Sequence, residues 1–123
     1  MQKYLGISFC FLVVASVLSC AYNVEEELYP PVTCDTLNVT YSGTVLPILQ
    51  QNCYECHSNA NVGISLIPLE GYAFLSIKVN DGQLIKAIRH TGEVTPMPKD
   101  RPSLPECDIL KIEKWVSEGA PDN

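Results

Sequence analysis

The chain has 123 residues, 46% of them apolar and 18% charged, with a formal net charge of −6. That length gives a prior of one domain, and the composition excludes both intrinsic disorder and a polytopic membrane protein. There is no run of Lys or Arg, which excludes a nucleic-acid partner, because neutralising phosphates needs clustered cations. The acidic balance points instead to a protein partner with a basic docking surface.

Lys3 precedes an apolar stretch from Leu5 to Leu18, interrupted by Gly6, Ser8 and Ser16. The stretch is shorter than the ~20 residues needed to span a bilayer, so it reads as a secretory signal. Val17-Leu18-Ser19-Cys20 resembles the lipobox of bacterial lipoproteins. The resemblance implies that residues 1–19 are removed and that Cys20 is lipidated. An ordinary signal peptide with an incidental Cys20 is the other reading. A lipidated Cys20 would tether the exported chain to a bacterial membrane, inner or outer, on the periplasmic face or at the cell surface. Residues 20–35 carry Glu25-Glu26-Glu27 and Pro30-Pro31 and read as an extended linker. Residues 36–123 read as the folded domain.

Tyr41, Val45, Ile48 and Leu49 recur at helical spacing and predict a helix from about Ser42 to Cys53, with Pro47 early, where it costs least. The helix leads into Cys53-Tyr54-Glu55-Cys56-His57, a C-x-x-C-H sequence. This is the attachment signature of c-type haem. Two thiols three residues apart on a helical turn each reach one vinyl group on the same porphyrin edge. The histidine that follows supplies the proximal ligand to iron. A thioredoxin-like redox pair needs a βαβ context, and no strand pattern precedes Cys53. A zinc site needs further ligands, and only His90, Cys34 and Cys107 are available. With Cys10 in the signal and Cys20 at the lipid site, Cys34 and Cys107 are the remaining cysteines, and an oxidising compartment favours a disulfide between them. Two buried thiols are the alternative.

Gly71 to Val79 is a candidate short helix. Asp81 is placed to cap another, with Leu84, Ile85 and Ile88 on one face. His90 reads either as a histidine at the end of that helix, stopped by Gly92, or as a sixth iron ligand. The favoured sixth ligand is Met97 in Thr95-Pro96-Met97-Pro98, because it is the one methionine beyond the signal and its loop is bracketed by prolines. The last helix has a predicted capping box of Ser103 and Glu106, Pro105 in its first turn, and Gly119 at its end. Ile109, Ile112 and Val116 form its apolar stripe, with Trp115 beside it.

Together these residues resemble a small monohaem cytochrome c of the short, membrane-anchored kind. In that family an N-terminal helix leads into C-x-x-C-H, a Met-Pro loop follows, and a C-terminal helix crosses the first. Tyr41 to Leu49 stands where the first helix does, and Met97-Pro98 matches the distal loop. Trp115-Val116-Ser117-Glu118-Gly119-Ala120-Pro121 matches a frequent terminal signature. The resemblance covers residues ~36 to 121 and is least between Ser58 and Asp81. It implies an all-α fold of three to five short helices around one haem c, held by Cys53 and Cys56 and ligated by His57 and Met97. It implies a carbonyl acceptor for the His57 ring, with Pro68 the candidate. Tyr72 and Trp115 are candidates for contact with the haem propionates, and packing of their rings explains both equally well.

One-electron transfer is then the expected function, to a redox protein partner and without catalysis by the chain itself. A haem-based sensor of small ligands, or a bis-histidine cytochrome, is the first alternative. A non-haem, disulfide-stapled interaction lipoprotein is the second.

Overall fold

Thr40 opens the first helix of the computed structural model, which describes residues 33–123. The signal, the linker to residue 32 and Cys20 lie outside the described residues. Thr40 is extended, and its Oγ1 accepts the Gly43 N–H at 3.1 Å. A Cβ on residue 43 would stand 2.8 Å from that oxygen, so glycine is what lets the cap close. The first turn, Tyr41–Val45, is wound as a π-helix and continues into α1, Leu46–Asn52. Pro47 lies in the first turn of α1, directly after the π-helical turn.

The chain then folds into α2 (Tyr54–His57), a 3₁₀ turn (Asn59–Asn61), α3 (Val62–Ser65), α4 (Tyr72–Asn80), α5 (Gln83–Ile88) and α6 (Glu106–Ser117). The domain is all-α, with six short α-helices and no strand among the described residues. Six exceeds the expected three to five. The extra elements, α2 and α3, are single turns without an apolar repeat, so periodicity carries no signal for them. No helix among the described residues is long and apolar enough to cross a membrane.

The core is centred on Trp115, which is fully buried and joined by Val45, Leu49, Leu75 and Ile112. The sequence placed Trp115 beside the α6 stripe and Val116 on it. In the structure Trp115 is the buried residue and Val116 is half-buried. The indole stacks on Tyr41 with ring centroids 5.9 Å apart, and the Tyr72 ring meets Tyr41 edge-on at 5.5 Å. Trp115 Nε1 donates to the Pro121 carbonyl and the Tyr72 hydroxyl to the Ala120 carbonyl, each at 2.9 Å. The Tyr41 and Ser42 N–H groups donate to Asn123. The C-terminal tail is thereby fastened across the start of the first helix.

Two expected helix starts are corrected. Helix α5 is capped at Gly82, while Asp81 Oδ1 accepts the Gln83 N–H at 2.9 Å from one residue outside. Helix α6 begins at Glu106 after Pro105, and no side chain caps it. The Ser103–Glu106 box does not form, because Glu106 is bonded to Arg89 instead, Oε1 to Nη1 at 2.8 Å. Arg89 also grips Glu113 through Nε and Nη2, which fastens the end of α5 to α6. Cys34 and Cys107 form a disulfide, with Cα atoms 5.3 Å apart, that ties residues 33–35 to the first turn of α6.

Helices α5 and α6 end alike. At α6, the Gly119 N–H donates to the Val116 carbonyl and the Ala120 N–H to the Trp115 carbonyl, with Gly119 at φ +90°. At α5, the His90 N–H donates to Ala87 and the Thr91 N–H to Lys86, with His90 at φ +53°. Both are Schellman endings, which satisfy the last carbonyls through a left-handed residue. His90, not Gly92, is thus where α5 stops.

Candidate functional site

The ends of α1 and α2, the segment 64–69, helix α5 and the loop 94–104 surround a cavity of about 600 Å³. That size lies in the range of small-molecule and cofactor sites. Leu69, Leu84, Ile88 and Leu104 give it an apolar wall that is continuous with the core. Cys53, Cys56, His57 and Met97 all line it; His90 does not.

The two thiols are placed by the break between α1 and α2. Cys53 is the hinge, and its carbonyl accepts the N–H groups of Cys56 at 3.1 Å and His57 at 2.9 Å. Both thiols are unbridged. Burial pushes the Cys53 thiol up to about 11, so it is a neutral thiol at physiological pH. That is opposite to the lowered pKa of an activated redox cysteine. Among the described residues no three or more His, Cys, Asp or Glu side chains converge as a metal-ion site, so the zinc reading has no ligand set there.

His57 is 8% exposed and held at two points. Its ring Nδ1 lies 2.7 Å from the Ile67 carbonyl oxygen, and its own carbonyl accepts the Leu69 N–H at 2.9 Å. The carbonyl is an acceptor only, so Nδ1 is the donor, which in a neutral ring leaves Nε2 as the nitrogen with the lone pair. The expected acceptor was the Pro68 carbonyl; it is that of the preceding residue. Proline biases the residue before it toward extended backbone, which favours a carbonyl held out from the chain.

Met97 is half-buried, and its N–H donates to the Ala87 carbonyl at 3.0 Å. The His90 ring does not enter the cavity, and its Nε2 is 3.0 Å from the Met97 carbonyl oxygen. Tyr72 and Trp115, the expected propionate contacts, lie off the cavity wall and are bonded to the C-terminal tail. Hydrophobic burial of their rings against Tyr41 outweighed that expectation.

The sequence reading missed the charged part of the wall. Lys78, Lys99 and Arg101 line it, with Glu55 as the one carboxylate. Arg101 Nη2 meets Glu55 Oε2 at 2.8 Å, which links the Met97 loop to the C-x-x-C-H turn. Lys78 Nζ is held by Asp81 at 3.1 Å and Gln83 at 3.0 Å. The signals available were Glu55 inside the motif and Lys99 and Arg101 directly after Met97-Pro98. Lys78 gave none, because its pairing depends on how α4 meets α5.

Two thiols, an imidazole nitrogen with a free lone pair, a thioether and an apolar wall form a donor set that fits a haem attached through two thioether bonds. Comparison of the chain with protein-family models, curated proteins and solved structures returns no match.

Proposed function

We propose that the chain is a one-electron carrier of the small monohaem cytochrome c type, with haem c attached through Cys53 and Cys56 and ligated by His57 and Met97. The observation that carries the reading is that Cys53, Cys56, His57 and Met97 line one cavity with an apolar wall, while the Ile67 carbonyl engages Nδ1 of His57 and leaves Nε2 as the nitrogen for a metal. When bound, the haem supplies a one-electron couple at its iron. The residues of the chain do the rest. Ile67 orients the His57 ring and raises its basicity. Leu69, Leu84, Ile88 and Leu104 give the site an apolar wall against which the ring would pack. His57 and Met97 would hold the iron in both oxidation states and so limit rearrangement, which suits a carrier rather than a catalyst.

The setting is proposed from the sequence. Lipid on Cys20 would tether the domain outside the cytoplasm, and the net charge of −6 favours a redox protein partner with a basic docking surface. A haem-based sensor is the second reading. It is favoured by one observation: Met97 stands on a segment without helix or strand between Ile88 and Glu106, so its release would break no regular element.

The test is the visible to near-infrared spectrum of the ferric protein, produced in a host with c-type maturation machinery. A haem spectrum with the methionine-to-iron charge-transfer band that is lost in Met97→Ala is the expected result. A haem spectrum without that band, with rapid CO binding on reduction, would favour the sensor. A colourless protein would overturn the haem reading and leave a disulfide-stapled interaction lipoprotein.

A further inference from the structure

We propose that His90 is a positioning residue that latches Met97 in the cavity through the Met97 carbonyl. The proposal rests on the reading of Met97 as the sixth ligand and adds what keeps it in place.

Met97 lies on a long irregular loop, and a loop loses conformational freedom when one of its residues must stay at a fixed point. Two hydrogen bonds hold its peptide groups. The Met97 N–H donates to the Ala87 carbonyl at 3.0 Å, and the Met97 carbonyl lies 3.0 Å from His90 Nε2. Both partners belong to the end of α5; Ala87 lines the cavity and His90 stands just outside it. The carbonyl can only accept, so Nε2 is the donor nitrogen of His90, whereas His57 donates through Nδ1. The other side-chain ties on this loop, Lys86 to Glu93 and Arg101 to Glu55, attach away from Met97.

The backbone at residue 90 gives an independent reason to assign the side chain a task. His90 occupies the left-handed position of a Schellman ending, at φ +53°. At the same position of α6 the chain uses glycine, Gly119. Glycine takes this conformation without steric strain, whereas a histidine there is strained. The cap therefore gains nothing from an imidazole. The Met97 carbonyl does.

The experiment uses the haem-loaded protein and three variants. His90→Gly removes the imidazole yet suits the backbone, so it separates the latch from the helix ending. His90→Gln restores an N–H donor of similar reach. Met97→Ala reports on the ligand itself. The expected result is a weakened methionine-to-iron band in His90→Gly, with the apparent affinity of the reduced protein for CO raised about fivefold, as follows from losing one hydrogen bond that favours the closed state. His90→Gln is expected to recover most of both. A wild-type band and CO affinity in His90→Gly, while Met97→Ala abolishes the band, would overturn the latch and keep Met97 as the ligand. A band that survives Met97→Ala would instead overturn the ligation reading, and the latch with it.

Discussion

The His57 ring and the Ile67 carbonyl form the shortest link between the C-x-x-C-H turn and the segment that follows it, with Nδ1 and the oxygen 2.7 Å apart. The second tie, from the Leu69 N–H to the His57 carbonyl at 2.9 Å, fixes the other side of Pro68. The ring is therefore oriented by a backbone strap whose direction is biased by one proline. No side chain is needed for this; the acceptor is a backbone carbonyl, one residue before the Pro68 carbonyl expected from the sequence.

Pro68→Ala should loosen that strap without removing the carbonyl. If His57 is the proximal ligand, a weaker bond at Nδ1 makes it a poorer donor to the oxidised iron, so the reduction potential should rise. Losing ~0.5–1 kcal/mol of hydrogen bonding corresponds to roughly 20–40 mV at 59 mV per tenfold change. Potentiometry of the haem-loaded variant is the check. An unchanged or lowered potential would show that the strap does not tune the ligand.

The disulfide makes a prediction that does not depend on haem. Cys34 and Cys107 are 73 residues apart, so the bridge closes most of the described domain into one loop. In the chain-entropy account, closing such a loop stabilises by up to about 4 kcal/mol. Replacing both cysteines with serine should lower the urea midpoint with little change in helical circular dichroism. Equal midpoints for the two proteins would mean that the unfolded chain is restricted in some other way.

Leu66 stands in the left-handed region at φ +59° with 81% of its surface exposed. A leucine there is strained by about 1–2 kcal/mol and buries too little surface to offset it. Leu66→Gly relieves the strain but adds freedom to the unfolded chain, which returns ~0.5–1 kcal/mol. A net gain of up to about 1 kcal/mol is expected in denaturant unfolding. A clear loss of stability would show that the leucine makes an apolar contact when the cavity is filled, since its neighbours Ile64 and Ile67 line that cavity.

Part of the helix framework was legible in the sequence. The stretch from Ser42 to Cys53 and that from Gly71 to Val79 each fall within about one or two residues of an observed helix. The Cys53, Cys56 and His57 cluster followed from spacing alone, and the cavity brings Met97 to the same wall. What was not legible depends on long-range partners. Glu106 was read as a capping residue, yet Arg89 claims it from across the fold. For Tyr72 and Trp115 the sequence left propionate contact and packing equally open, and the tail carbonyls that take their polar atoms could not be read from it. His90 was legible as a residue at the end of α5, but the stop was placed at Gly92, and the left-handed angle at His90 itself shows only in the backbone.

Arg89 supplies the last prediction, through pH. Its guanidinium bonds Glu113 and Glu106 at once, which holds the Arg89 proton still more firmly than usual. The hydrogen bonds from Arg89 hold the Glu113 carboxyl below the usual carboxylate range, against a smaller opposing effect of burial. A carboxylate depressed in the folded state adds stability above its unfolded value of about 4.3, and this is lost as pH falls through the folded value. Wild-type stability should therefore fall with acidification below about pH 4.3. Arg89→Gln should cost about 1–2 kcal/mol at neutral pH, because two partly exposed carboxylates lose their partner. In acid the variant and wild type should converge, since a protonated Glu113 gains little from Arg89. Asp81 and Glu93 are also depressed, by the Gln83 N–H and by Lys86 respectively, but both keep their partners in the variant and cancel in the comparison. Urea midpoints measured from pH 7 to pH 3 for the two proteins provide the test. A constant difference across that range would show that the fork contributes through packing of the Arg89 stem instead of through charge.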